Sequence, residues 1–336
     1  MDTARTPITP YPRGWFLVSR SEELKPRRTK TVHYFGQDIV LYRTADGQAH
    51  AVDPYCPHLG AHLGHGGKVD GTSIRCPFHG WTFDGVSGQC KYVPEATRTP
   101  KVSLRHWPVQ EVSGMILVWY HEQREPPSWR VPEMPDEEGR WTPWMESRWR
   151  LNACCQDIVE NDIDVAHIPA MHGFSKRIPK VELSTDGPTL RIDSTLTLEL
   201  EQFGLWGAIE GPLITRKFGL TIGYITFKSK VLGVPIGLRT LGNTTPIDEH
   251  HVDVRLMYSV LRSPIRLLDP LIARQYRRFF DGTVNQDVKI WENKMYRLHP
   301  ALSDADGPFV AYRRWATQFY SEDEMQRARA RAREML

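Results

Sequence analysis

Four residues in two short stretches stand out by type and spacing. One stretch reads Cys56-Pro57-His58-Leu59-Gly60-Ala61-His62 and the other Cys76-Pro77-Phe78-His79-Gly80-Trp81. Sulfur and imidazole ligands thus recur as C-x-H, a spacer of seventeen residues, then C-x-x-H. A tetrahedral zinc site is one chemistry that two cysteines and two histidines support. The C-x-H half is unusual for a zinc finger, however, and no recognition helix follows it. The prolines and glycines beside both pairs suit two tight loops that meet over an inorganic core. Glycine there also exposes backbone N–H groups that can bond to bridging sulfides.

A second cluster lies in Asn152–Phe174, NACCQDIVENDIDVAHIPAMHGF. Asp164 and His167 are three apart and share a face if the segment is helical. His167 and His172 are five apart and diverge on a straight helix. Pro169 between them disrupts a helix and biases the preceding residue away from it. A helix ending near Ile168, followed by a turn, brings His172 back toward His167. Two imidazoles aimed at one point suggest a metal; polar surface at a helix end is the blander alternative.

The elements that must position these residues differ along the chain. The 336 residues are comfortable for two domains, and 40% hydrophobic with 25% charged is ordinary globular composition. A net charge of +3, with no long basic run, gives no sign of a nucleic-acid partner. No stretch reaches the roughly 18 apolar residues of a spanning helix. The N-terminal residues lack an apolar signal core, so a cytoplasmic location is expected. Five cysteines, an odd number, fit metal ligation better than a disulfide framework.

From Gly14 to about Tyr120 the runs WFLV, TVHYF, DIVLYR, AHAVD, TSIRC and MILVWY read as strands, punctuated by Asp-Gly and Ser-Gly turns. The expected organisation is an antiparallel β domain over residues 1–122, a proline-rich, charged linker over 123–145 and a second domain over 146–336. In the second domain LRIDSTLTLEL, LTIGYITFKS and HHVDVRLMYSV read as strands. A long helix follows, with Asp269 as N-cap, Pro270 as first helical residue and an end near Met295. Gly282 predicts a bend or a split in it.

The paired loops resemble the Rieske iron–sulfur signature. The resemblance implies a [2Fe–2S] cluster with one iron on Cys56 and Cys76 and the other on His58 and His79. Respiratory-chain Rieske proteins carry an extra cysteine in each loop; here the comparable positions, about Ala61 and Phe78, have none. With that signature upstream, Glu160-Asn161-x-x-Asp164-x-x-His167-x4-His172 resembles the iron-binding motif of Rieske non-haem iron oxygenases. The family implies a facial triad on mononuclear Fe(II), formed by both histidines and a distant carboxylate. Asp287, in Gln286-Asp287-x-x-Ile290-Trp291-Glu292, matches that setting, with Asp281 and Glu292 as rivals. The implied fold is α+β: an antiparallel Rieske domain followed by a helix-grip domain of the Bet v1/START-like type, a sheet wrapped over a helix around an apolar cavity. Trp206, Phe218, Tyr224, Phe227 and Met257 are candidate lining residues.

The resemblance further implies a terminal monooxygenase, an oxidoreductase that uses O2. Its electrons come from NAD(P)H through a separate reductase or ferredoxin, then the cluster, then Fe(II). It implies a homotrimer, with Asp164 linking an iron histidine to a Rieske histidine of the next subunit, and with Asn161 near the iron. The segment from Gln156 to Asp164 and Arg314-Trp315-x4-Tyr320 look similar to the 3-ketosteroid 9α-hydroxylases and sterol desaturases. A hydrophobic steroid or sterol substrate is therefore expected, with hydroxylation, desaturation or methyl oxidation, including sterol C-4 demethylation. The alternatives are a Rieske O- or N-demethylase of a small aromatic or heterocycle, and a non-catalytic Rieske electron carrier.

Overall fold

The computed structural model describes residues 6–135, 139–199, 201, 206–231 and 233–334. The chain divides into two compact units, Arg13–Met134 and Pro135–Leu336, the latter joined by the described part of Met1–Pro12.

The first unit holds strands β1 (Gly14–Arg20), β2 (Thr29–Tyr34), β3 (Gln37–Arg43), β4 (Ala49–Val52), β5 (Lys68–Asp70), β6 (Ser73–Arg75), β7 (Thr82–Asp84), β8 (Cys90–Tyr92), β9 (His106–Trp107), β10 (Val109–Val112) and β11 (Met115–Tyr120). They form three antiparallel sheets, ordered β1-β11-β10, β2-β3-β4-β9 and β5-β6-β7-β8. All six runs read as strands from the sequence lie in them. Val40, Tyr42, Val52, Leu63, Ile74 and Phe83 pack as one core against Cys56 and Cys76. Part of the stretch expected as a linker also packs here. Val131 and Met134 are buried. Gln110 exchanges two hydrogen bonds with the main chain of Val131, at 2.5 and 3.0 Å. A proline-rich segment without sheet partners needs such side-chain partners for its buried backbone groups.

The second unit is built on one seven-stranded antiparallel sheet, of β12 (Met145–Leu151), β13 (Val181–Asp186), β14 (Thr189–Glu199), β15 (Ala208–Phe218), β16 (Ile222–Val231), β17 (Val234–Pro246) and β18 (Val252–Val260), in the order β12-β18-β17-β16-β15-β14-β13. Its helices are α1 (Cys155–Val159), α2 (Asp269–Trp291), α3 (Phe309–Ala316) and α4 (Glu322–Glu334). Tyr276, Val284, Asp287 and Trp291 are buried on α2 and recur at helical spacing, so Asp287 belongs to the inward stripe. Helix α2 begins one residue earlier than expected, with Leu268 as N-cap. Asp269 instead accepts a 2.7 Å hydrogen bond from the Ser263 N–H and fixes the incoming loop. The helix runs unbroken through Gly282 and ends at Trp291, short of Met295. No described helix is long and apolar enough to cross a membrane.

Candidate active site and metal centres

The two loops of the first unit are built alike. The Cys56 N–H donates to the Ala61 carbonyl at 2.9 Å, and the Cys76 N–H to the Trp81 carbonyl at 2.8 Å. Each cysteine carbonyl accepts from the glycine four residues on, Gly60 or Gly80. Both glycines have positive φ, 74° and 72°, a conformation that would strain a side chain. This shared turn aims Cys56 and His58 from one loop, and Cys76 and His79 from the other, at one place. The His58 and His79 ring centres are 4.7 Å apart, and Trp81 stacks on His58 at 4.3 Å.

Three features fit a metal cluster here. Both cysteines are buried. Burial and the neighbouring Cys76 sulfur, opposed by a His58 main-chain N–H, push the Cys56 thiol up to about 11; a bound cation reverses that and makes it a thiolate ligand. The His58 Nδ1 atom is buried without a hydrogen-bond partner, which leaves a lone pair for a metal. His62 lies in the same loop but turns its Nδ1 to the Gly64 N–H at 3.1 Å.

In the second unit α1 stops at Val159 and gives way to a single turn of 3-10 helix, Glu160–Asp162. Asp164 is therefore not helical, contrary to the shared-face expectation. His167 instead opens a π-helical turn, Ile168–His172, which carries Pro169 near its start and ends at Gly173 with φ 67°. The wider turn accommodates the five-residue spacing. The His167 and His172 rings meet at 5.0 Å, nearly perpendicular.

One ligand atom each from His167, His172 and Asp287 lies within 4.8 Å of the others. The Asp287 Oδ1 is 3.3 Å from His172 Nε2 and 4.0 Å from His167 Nε2. Metal bonds of about 2.1 Å place neighbouring ligand atoms roughly 3 Å apart, close to this spacing. Both imidazoles are held by the opposite nitrogen. His167 Nδ1 bonds the main-chain oxygen of Asp164, and His172 Nδ1 bonds the Gln286 side chain at 2.8 Å. With Nδ1 donating, each Nε2 keeps a lone pair turned toward the triad centre. Phe174 stacks on His172, their planes 6° apart. Asn161 Nδ2 stands 3.4 Å from both His167 Nε2 and Asp287 Oδ2. The Asp164 carboxylate lies 3.7 Å from His167 Nδ1. The rival carboxylates are engaged elsewhere: Asp281 with Ser147 and Arg277, Glu292 with the Asn152 N–H.

The triad residues line a cavity of about 230 Å³. A second chamber of about 470 Å³ lies between α2 and the sheet and is almost wholly apolar. Phe174, Leu196, Leu213, Ile225 and Phe280 line both. Of the residues proposed as lining, only Phe227 does so. Phe218 and Met257 are buried outside both chambers, and Trp206 is 92% exposed. Tyr224 points from the opposite face, since Gly223 and Ile225 hold the inner positions of β16.

Two features of this site gave no sign in the sequence. The Lys217 ammonium is buried in the inner chamber and bonded to Asp162, beside Asn161. Gly223, paired with Lys217 in the sheet, leaves room beside it. The second is the set of distant partners of Glu160, a residue of the motif quoted above that is buried and receives Arg313 and Tyr296. Both are contacts between distant strands or helices, and no local motif marks them.

Comparison with known proteins places these features. Residues 14–108 match the family model of the Rieske [2Fe-2S] domain, and residues 118–320 that of the 3-ketosteroid 9alpha-hydroxylase C-terminal domain. The protein named cholesterol 7-desaturase nvd from Xenopus laevis is 30% identical, over 94% of this chain and 73% of its own length. A probable 3-ketosteroid-9-alpha-monooxygenase, oxygenase component, from Rhodococcus rhodochrous is 30% identical over 95% of this chain and 82% of its own. Dicamba monooxygenase, solved with 3,6-dichlorosalicylic acid, shares the fold with a TM-score of 0.71 at 19% identity, over 94% of this chain and 98% of that one. The two family matches, in chain order and over most of its length, make this chain a member of the Rieske non-haem iron oxygenases, in the branch defined by the 3-ketosteroid 9α-hydroxylase C-terminal domain: an oxidoreductase that works with a [2Fe–2S] cluster and a mononuclear iron.

Proposed function

We propose that this chain is the terminal oxygenase of a multicomponent system and oxidises a C–H bond of a steroid or sterol. Cys56 and Cys76 hold one iron of the cluster, His58 and His79 the other; His167, His172 and Asp287 hold the mononuclear iron. When bound, the cluster supplies single electrons and the mononuclear iron supplies O2 activation, at the expense of NAD(P)H oxidised by a separate reductase. The protein's own part is placement. Asp164 O and Gln286 fix the two imidazole tautomers. Asn161 occupies the space next to the triad. The Asp164 carboxylate, on the Nδ1 side of His167, is positioned to join a Rieske histidine of the next subunit in a ring of three.

The observation that carries the substrate reading is the second, apolar chamber sharing a wall with the triad cavity. A small aromatic ether needs only the inner space; a fused-ring lipid occupies both. The relatives' names, cholesterol 7-desaturase and ketosteroid monooxygenase, support the same class. Lys217 and Asp162 with Thr215 and Thr244 supply polar groups that can receive an oxygen of the substrate.

A single-turnover assay tests this. The iron-loaded protein is reduced, freed of reductant and given O2 with sterols, 3-ketosteroids and aromatic methyl ethers, and products are read by mass. Gain of one oxygen, loss of two hydrogens or an oxidised methyl on a steroid is the expected result. Turnover of the aromatic ethers alone would reject the steroid reading and favour the demethylase.

A further inference from the structure

The outer chamber is lined in part by the exposed Leu271 and Ile272, so it meets solvent beside the start of α2. Strand β15 pairs Leu213 with Phe227, and β16 turns back into β17 at Val231 and Val234. The start of β15 and the β16–β17 turn therefore lie at the same sheet end. The first half of α2 lines the outer chamber through Leu271 and Ile272, and the second half reaches the inner one at Asp287. At 1.5 Å per residue, Leu271 and Asp287 are about 24 Å apart along the helix.

That outer end is unusually greasy. Ile265 is 59% exposed, Leu267 92%, Leu268 43%, Leu271 63% and Ile272 39%: five apolar side chains in eight positions. Across the chamber, Trp206 and Val234 are exposed near the ends of β15 and β17. Scattered exposed leucines need no explanation, but a contiguous set around a cavity mouth does. On the α2 side the exposed charge is of one sign. Arg266, Arg274 and Arg278 are exposed among these residues. The one acid between positions 262 and 280, Asp269, is buried and bonded to Ser263 and Arg262. On the sheet side Glu199 and Glu201 face Lys176, and Glu210 holds Thr197.

We propose that this lip, Ile265–Ile272 with Arg266, Arg274 and Arg278, docks the protein on an anionic lipid bilayer, so that the outer chamber draws its substrate from the membrane. The inference rests on the sterol reading for its purpose, though not for its test. Leucines and isoleucine bury shallowly among the acyl chains, arginines meet lipid phosphates, and Trp206 suits the interfacial zone. The aromatic and aliphatic rim then continues into the chamber wall, and a sterol moves from lipid to cavity without crossing water. The contact is monotopic.

The test is flotation of the cluster- and iron-loaded protein with phosphatidylcholine vesicles, with and without phosphatidylglycerol, at low and high salt and with no sterol present. Wild type is expected to float with the anionic vesicles and to release as salt rises. Leu267→Glu/Leu268→Glu and, separately, Arg266→Glu/Arg274→Glu should each lower the bound fraction on the order of tenfold, with iron content unchanged. These side chains line neither chamber, and the salt dependence of wild type needs no variant at all. Wild type that stays unbound at low salt, or variants that float equally well, would overturn the proposal. So would an unbound wild type whose Leu267→Glu/Leu268→Glu form loses electron delivery from its reductase, which would make the lip a protein-docking face. Wild type that floats yet oxidises no steroid would leave the docking standing and remove the sterol reading alone.

Discussion

Arg313 grips Glu160 through two parallel hydrogen bonds, Nε to Oε1 at 2.8 Å and Nη2 to Oε2 at 2.7 Å, across 153 residues of sequence. Glu160 is buried and also accepts from the Tyr296 hydroxyl and the Gln156 amide. The next residue, Asn161, stands at the triad. The pair thus ties α3 to the turn that carries the site. Arg313→Met strands a buried carboxylate, and removing one partner of such a pair costs about 3 kcal/mol. Denaturant unfolding should show that loss, with lower iron occupancy at the triad. Arg313→Met with an unchanged midpoint would mean the pair is decorative.

Asp164 has two separate contacts with His167. Its main-chain oxygen bonds Nδ1, and its carboxylate lies 3.7 Å from the same atom. Asp164→Asn keeps the first and alters only the second. Iron content and the visible spectrum of the cluster should therefore persist, while reductase-driven turnover drops 10- to 100-fold, the usual range for a lost partner behind a ligand. Wild-type turnover in this variant would end the idea that the carboxylate serves electron transfer.

The triad and the cluster are separable. His172→Ala or Asp287→Asn should lower iron from about three to about two atoms per chain and leave the cluster spectrum intact. Gln286→Ala is the subtler case. It removes the partner that fixes the His172 tautomer, so iron affinity should fall 10- to 100-fold with the ligands still in place. Three irons retained in Asp287→Asn would move the third ligand elsewhere.

Much of this site was legible because its chemistry is local. The two loops declare themselves by cysteine and histidine spacing, and the six strand runs read in the first unit are short, rich in β-branched and aromatic residues, and punctuated by turn residues. Four strands of the second unit were not recognised. β15 contains Gly211-Pro212, which pair with β14 alone, and β17 contains Pro235 and Gly237, which pair with β16 alone, and Gly242, which pairs on both sides; all five read as breaks in the sequence. The π-helical turn was also illegible: Pro169 reads as a helix stop, yet the turn continues past it to place His172. Lys217 and Arg313 look like surface cations in sequence. Only folding shows that Lys217 is itself buried against Asp162 and that Arg313 is matched to the buried Glu160.

Acid should weaken the first unit in a defined window. Burial raises the Glu23 carboxyl, but Lys30, Ser19 and the Arg20 N–H outweigh it and hold it at about 2, from an ordinary 4.5. A depressed carboxylate contributes stability above its unfolded value, and that contribution is lost as pH falls through the folded one. Glu23→Gln should therefore be less stable than wild type at neutral pH, and the gap should close between about pH 4.5 and 2. Unfolding midpoints of both forms across that range check it. A gap that stays constant would show that Glu23 stabilises by shape alone.

Ile225 decides between a long and a short substrate. It lies on the inner face of β16, opposite Thr215 and Thr240, and lines both chambers. Ile225→Trp adds bulk at the boundary of the two chambers without touching a metal ligand. Space is available there, so the stability cost should stay within the 1–3 kcal/mol typical of overpacking. A sterol spanning both chambers would then be displaced from the triad, and a misplacement near 1 Å costs on the order of hundredfold in rate. A substrate confined to the inner chamber would lose far less. Steady-state turnover of a sterol beside an aromatic methyl ether, with iron content as the control, separates the two. If sterol oxidation survives Ile225→Trp undiminished, the outer chamber is not part of the substrate's path.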